Sequence, residues 1–244
     1  LTMHDIYTFA KEVEIDDIKE LLDQMIACNT AIAQEGMHGD YGANIGKVIA
    51  IRKDLPSLLK AYAAAGSDAR MNGCELPVVI NSGSGNQGLT VSVPLIVYAE
   101  REHLDKEKLY RALVISNLTA IHLKTEIGRL SAFCGAVSAG AACGAGLAYL
   151  KDASEEVMNH TIVNALAITS GIICDGAKAS CAAKIAVSVE AGILGYDMYM
   201  NGQQSYGGDG IISKGIENTI HNIGVLGSQG MASTDQEIIK IMCE

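Results

Sequence analysis

From Gly135 to Gly146 the chain reads Gly-Ala-Val-Ser-Ala-Gly-Ala-Ala-Cys-Gly-Ala-Gly, with no side chain bulkier than that of Val137. Such a stretch has little volume of its own, so it packs only where neighbouring backbone closes against it. Composition points the same way. Glycine supplies 26 of the 244 residues, above its usual share of about 7%, and the glycines cluster as approach points rather than forming a linker. The chain is 49% apolar yet has no Trp and only two Phe. A core of Ala, Val, Ile and Leu suits closely packed helices better than a β-sandwich. The predicted fold class is mainly α: a compact helical domain with Gly/Ala-rich central helices and at most one or two short strands. No repeat, low-complexity stretch or clean boundary divides the chain, so residues 1–244 read as a single domain.

The net charge of −10 argues against nucleic acid or an anionic membrane surface as partner, because either needs a positive face. The longest apolar runs, 137–150 and 162–173, fall short of the roughly 18 residues of a membrane span. The opening residues show no secretory leader pattern. Seven cysteines, an odd number, then predict a cytoplasmic protein whose thiols serve metals or catalysis rather than disulfides.

Helical periodicity covers most of the chain. Residues 2–25 read as one helix capped by Thr2 or Asp5 and continuing to a stop at Gly36. Asp54 and Pro56 open another, ending at Gly66. Further helices are expected over 105–130, 152–173, 182–195, 211–223 and 235–243. Cys28 reads as a buried structural thiol and His122 as a satisfied histidine rather than a ligand. Met37 to Lys47 holds three Gly and two Asn or Asp; it is either a plain helix connection or a loop whose amides face an anion.

Leu76 to Ile80 is the best strand candidate. It leads into Asn81-Ser82-Gly83-Ser84-Gly85-Asn86-Gln87-Gly88 and then a helix. Unpaired amides at a helix N-terminus attract carboxylate or phosphate. The loop has no Lys or Arg, which favours a small carboxylate, such as that of an amino acid, over a nucleotide triphosphate. Ser82, Ser84, Gly85, Asn86 and Gln87 are therefore candidate substrate-binding residues; a tight turn with Ser and Asn caps is the alternative.

Cys134, Cys174 and Cys181, separated by 40 and 7 residues, each stand within two residues of Gly, Ala or Ser. They lack the close pairs of zinc sites and the runs of ferredoxins. Thiolates around an iron–sulfur cluster and small buried core residues are both open readings. In one helix Cys174 and Cys181 would stand about 10.5 Å apart along the axis. Sharing a cluster therefore requires a break at Asp175-Gly176, which puts Cys181 near a helix start, where thiolates are stabilised and Lys178 adds charge. Cys143 falls outside this ligand set.

At Pro77 to Gly88, Leu130 to Gly146 and Cys174 to Lys184 the sequence resembles the L-cysteine desulfidases, relatives of the iron–sulfur L-serine dehydratase α chains. The likeness covers essentially the whole chain. It implies a predominantly helical fold and a 4Fe–4S cluster on Cys134, Cys174 and Cys181, with one iron open to the leaving group. It also implies a lyase that converts L-cysteine to sulfide, pyruvate and ammonia. L-serine deamination is the alternative, and a non-catalytic small-anion-binding domain is a third reading. The spacing of 7 looks more like the desulfidase branch. Longer members carry a preceding region, with the desulfidase branch's cysteine base in it, so this chain resembles the C-terminal cluster-bearing part. Cys28 does not match that base, and the catalytic base is unassigned. The implied partners are the small amino-acid substrate, the N-terminal half or a subunit, and a second copy of the chain. In isolation the chain is expected to be inactive and to lose its cluster. Cys243 is a further candidate to reach the cluster as a tail.

Overall fold

The computed structural model describes residues 1–128 and 130–244. Among these residues the chain forms eleven α-helices and no sheet. In order they are α1 (Met3–Glu12), α2 (Ile15–His38), α3 (Ile45–Ala50), α4 (Leu55–Met71), α5 (Gly85–Arg101) and α6 (Lys106–Ile127). They continue with α7 (Gly135–Leu150), α8 (Glu155–Thr169), α9 (Cys181–Met200), α10 (Ile216–Val225) and α11 (Ala232–Cys243). A π-helical turn, Leu226–Gly230, joins the last two.

The small-residue segment is α7, and it lies at the centre. Almost every residue of it is buried, and it packs against α5, α6, α8 and α9. Its glycines are where other backbone closes in. A Cβ built on Gly140 would lie 2.3 Å from the Ser188 carbonyl oxygen, and one on Gly144 would lie 2.8 Å from Gly192 Cα. α4, α2 and α3 form the flank beside α9 and α5, while α1 and α10 pack on α6. None of the helices is long and apolar enough to cross a membrane, among the described residues.

Capping residues start the helices where the sequence places them. Thr2 and Asp5 form a capping box on α1, and Asp54, Asp105 and Ser154 accept from amides in the first turns of α4, α6 and α8. Several expectations need correction; among them, the helices expected over 152–173 and 211–223 are Glu155–Thr169 and Ile216–Val225. The first helix breaks at Val13 and Glu14, because Arg111 Nη1 donates to the carbonyls of Ala10 and Lys11 at 2.7 and 2.8 Å and ends α1 there. Gly36 and Gly66 do not end helices: each is buried inside one, Gly36 against the Ala65 backbone and Gly66 against Leu89. A short helix, α3, occupies part of the expected 37–47 loop. The helix expected over 105–130 ends at Ile127; Arg129, inside that range, lies outside the described residues.

Leu76 to Ile80 carries no regular secondary structure and pairs with no strand among the described residues. Asn29, fully buried in α2, takes the place of one: its Oδ1 accepts from Val79 N at 2.8 Å and its Nδ2 donates to Val79 O at 3.3 Å. On the other side α5 lies so close that a Cβ on Gly88 would come within 2.0 Å of Val79 O. The segment thus delivers the chain to the start of α5 without a sheet.

Candidate functional site

Three helix N-termini meet at one cavity of about 320 Å³. The first is that of α5. Asn81 to Ser84 form a tight turn closed by Asn81 N to Ser84 O at 3.1 Å and Ser84 N to Asn81 O at 2.9 Å. Ser82 (φ 48°) and Gly83 (φ 80°) occupy its centre in the left-handed region, the type I′ pattern. Ser82 Oγ donates to Asn81 Oδ1, and Asn81 Nδ2 donates to Asn117, anchoring the turn on α6. Ser84 Oγ caps Gln87 N at 3.4 Å. The loop is a capped turn, and its Ser82, Ser84, Asn86 and Gln87 line the cavity. Gly85 does not line it. A Cβ there would lie 2.3 Å from Arg70 Nε, so the glycine makes room for a guanidinium.

The second N-terminus is that of α7, with Cys134 as its N-cap. Forty residues on in sequence, Cys174 is brought beside it by a one-pair antiparallel bridge between Phe133 and Ile173. Cys134 N donates to Ile172 O at 3.1 Å and Cys174 N to Ala132 O at 2.7 Å. The third is that of α9, whose first residue is Cys181. The chain breaks before it, with Gly176 at φ 89°, as a shared site for Cys174 and Cys181 requires. Cys181 Sγ lies 3.7 Å from Gly176 O. All three thiols line the cavity.

The electrostatics favour anions. No Asp or Glu lines the cavity among the described residues, whereas Arg70, Lys124 and Lys184 do, and each helix N-terminus adds partial positive charge. Interaction with the Cys134 thiol holds Cys174 down at about 6, well below an ordinary thiol, and Lys184 adds to this. The same interaction, with burial, pushes Cys134 up. Lys124, 8% exposed on α6, is pushed down by burial and partly held up by the charges of Cys174 and Cys134. Lys184 donates to Ile173 O at 3.1 Å and to Asp175, whose carboxyl it holds low.

The cation beside the thiols is therefore Lys184, one turn into α9, and not the exposed Lys178. Arg70, Lys124 and Lys184 went unread in the sequence, since only tertiary packing brings them here. In the 37–47 loop the Gly46 N–H donates to the buried Asp68 at 3.0 Å, so that amide is taken by a carboxylate of the chain itself. His122 is satisfied by Glu217 at 2.8 Å. Cys143 is fully buried within α7, and burial pushes its thiol up. Cys28 and the exposed Cys243 lie outside the cavity lining.

Among the described residues no three His, Cys, Asp or Glu side chains gather closely enough to hold a single metal ion. The three thiols instead frame a space, with cations behind them that favour thiolate. That donor set suits a multi-atom iron–sulfur group, which takes Cys thiolates, and the residues present fit it.

The family model for the serine dehydratase alpha chain matches residues 2–240. The chain belongs to the serine dehydratase alpha chain family. Among curated relatives, the UPF0597 protein of Desulfitobacterium hafniense is 62% identical over 244 residues, covering 99% of this chain and 57% of the relative. Those of Finegoldia magna and Lachnoclostridium phytofermentans are 49% and 51% identical, covering 100% and 99% of this chain and 59% and 58% of theirs. The chain thus spans less than two thirds of the length of these members. No solved structure matches it.

Proposed function

We propose that the protein is an iron–sulfur-dependent lyase that eliminates the β-substituent of a small L-amino acid, with L-cysteine and water giving sulfide, pyruvate and ammonia. The observation that carries this reading is the meeting of Cys134, Cys174 and Cys181 with the Ser82–Gln87 loop on one cavity. The three thiols would hold a 4Fe–4S cluster, which supplies Lewis-acid chemistry toward the leaving group when bound. Lys184 and Lys124 place positive charge beside Cys134 and Cys174, which favours the thiolate form in which they would ligate. The amides of the first turn of α5, with Ser84 and Asn86, receive the substrate carboxylate. The Ala and Gly residues at the start of α7 leave space without polar side chains to compete.

L-serine deamination is the second reading, favoured by the description of the matching family. Because the relatives are longer, we propose that the chain is a single cluster-bearing domain working with a further region or subunit, as a homo-oligomer in the cytoplasm. Anaerobic reconstitution with iron and sulfide tests the site. Broad visible absorption is expected, and it should vanish in the Cys134→Ala, Cys174→Ala, Cys181→Ala triple variant; its survival there would sink the cluster assignment. Sulfide and pyruvate release from L-cysteine and L-serine by the intact protein then separates the substrates. Release from neither would favour a small-anion-binding domain.

A further inference from the structure

Two polar side chains on the cavity wall lack the partners their chemistry calls for. Arg70, in the last turn of α4, reaches the cavity beside the first turn of α5. Its guanidinium carries five donors, yet its hydrogen bonds are two long ones from Nη1, to Asn86 Oδ1 at 3.4 Å and Met71 Sδ at 3.9 Å. It pairs with no carboxylate among the described residues, in a chain with ten more acidic than basic groups. Gln87, 6% exposed, lies at the third position of α5, and its Oε1 is buried without a partner. A buried polar atom left in this state costs free energy unless a ligand completes it.

Their order along the wall gives the two groups distinct tasks. Arg70 lies against Gly85, where a Cβ would come within 2.3 Å of Nε. Gln87 lies against Gly135, where a Cβ would come within 2.6 Å of the Gln87 Cδ. Gly135 follows Cys134 directly, so the sequence of groups runs from guanidinium, through carboxamide, to thiol. The planar fork of Arg matches a carboxylate with two parallel bonds. A carboxamide oxygen is an acceptor suited to an ammonium.

We propose that Arg70 anchors the α-carboxylate of the substrate while Gln87 Oε1 accepts from its α-ammonium, leaving the β-substituent to face Cys134. A free α-amino acid would then use both handles, with amides, esters and deaminated acids bound more weakly. This assignment rests on the lyase reading above and adds to it two handles and a direction.

Equilibrium titration of the intact, cluster-loaded protein tests it with unreactive probes: L-alanine, L-alaninamide, which lacks the carboxylate, and propionate, which lacks the ammonium. L-alanine should bind more tightly than either. Arg70→Met should weaken L-alanine by about 10- to 100-fold, the scale of a lost charged hydrogen bond, and leave L-alaninamide within about threefold of its wild-type value. Gln87→Leu should weaken L-alanine and L-alaninamide but not propionate. Arg70→Lys keeps the charge without the fork and should fall between wild type and Arg70→Met, with circular dichroism confirming that each variant is folded. The same pattern should appear in KM for L-cysteine against L-cysteinamide. Equal binding of L-alanine and L-alaninamide by the wild type, or equal weakening of both in Arg70→Met or Arg70→Lys, overturns the proposal. Failure of the wild type to turn over L-cysteine or L-serine would instead overturn the lyase reading.

Discussion

Asp68 is 1% exposed on α4, with Oδ2 accepting from Gly46 N–H and Oδ1 without a partner. Burial raises its pKa above the ordinary carboxylate value, against the pull of the Gly46 and Ile45 amides and of Lys47. The native state therefore binds this proton more tightly than the unfolded chain does. Between the ordinary value and the raised one, stability must fall as pH rises, and above that window the full cost of the buried charge is present. Asp68→Asn keeps the shape and one acceptor but removes the titration. Its urea midpoint should gain on wild type as pH rises through the window and then hold a constant lead; a gap independent of pH would refute this account. Residue chemistry also decides what the sequence disclosed about the cavity. Thiols and a Gly/Ser/Asn loop announce themselves by type, so Cys134, Cys174, Cys181 and the Ser82–Gln87 loop were readable. Arg70 and Lys124 are ordinary members of amphipathic helices until packing aims them inward.

At the scale of elements, caps were legible because they are local. Thr2, Asp54, Asp105 and Ser154 bond amides two or three residues away. The break between α1 and α2 was not, because its cause lies about a hundred residues on. Arg111 Nη1 gathers the carbonyls of Ala10, Lys11 and Val13, while Nε and Nη2 rest on Glu107 at 3.0 and 2.7 Å. Arg111→Met should expose those carbonyl ends and cost about 1–3 kcal/mol, as for hydrogen bonds to a charged group. The loss should concentrate in α1, so amide exchange there should quicken while α7 stays protected. Uniform quickening across both helices would show that Arg111 supports the whole bundle instead. Leu76 to Ile80 teaches the same lesson in reverse: its β-branched run reads as a strand, yet the place of a partner strand is taken by one buried side chain, Asn29.

At the scale of the whole molecule, α7 and α9 each begin with a cysteine of the cavity, Cys134 as N-cap and Cys181 as first residue. Their mutual spacing therefore sets how far apart those thiols stand. Glycine holds it. Gly140 faces the Ser188 carbonyl, and Gly192 faces the Gly140 carbonyl, where a Cβ would come within 2.6 Å. These neighbours are backbone, so no rotamer change can relieve an added methyl, and the helices must part. Gly140→Ala should destabilise the fold by about 1–3 kcal/mol, in the range of overpacked cores. On the proposed function it should also lower the iron retained per protein, since Cys134 and Cys181 separate with their helices. Gly171→Ala is the control: its Cβ would meet nothing within 4 Å and its φ is ordinary, so stability and iron should stay near wild type. Iron loss without lost stability in Gly140→Ala would still fit helix separation. Full iron retention in a destabilised Gly140→Ala would mean that helix spacing does not govern the thiols.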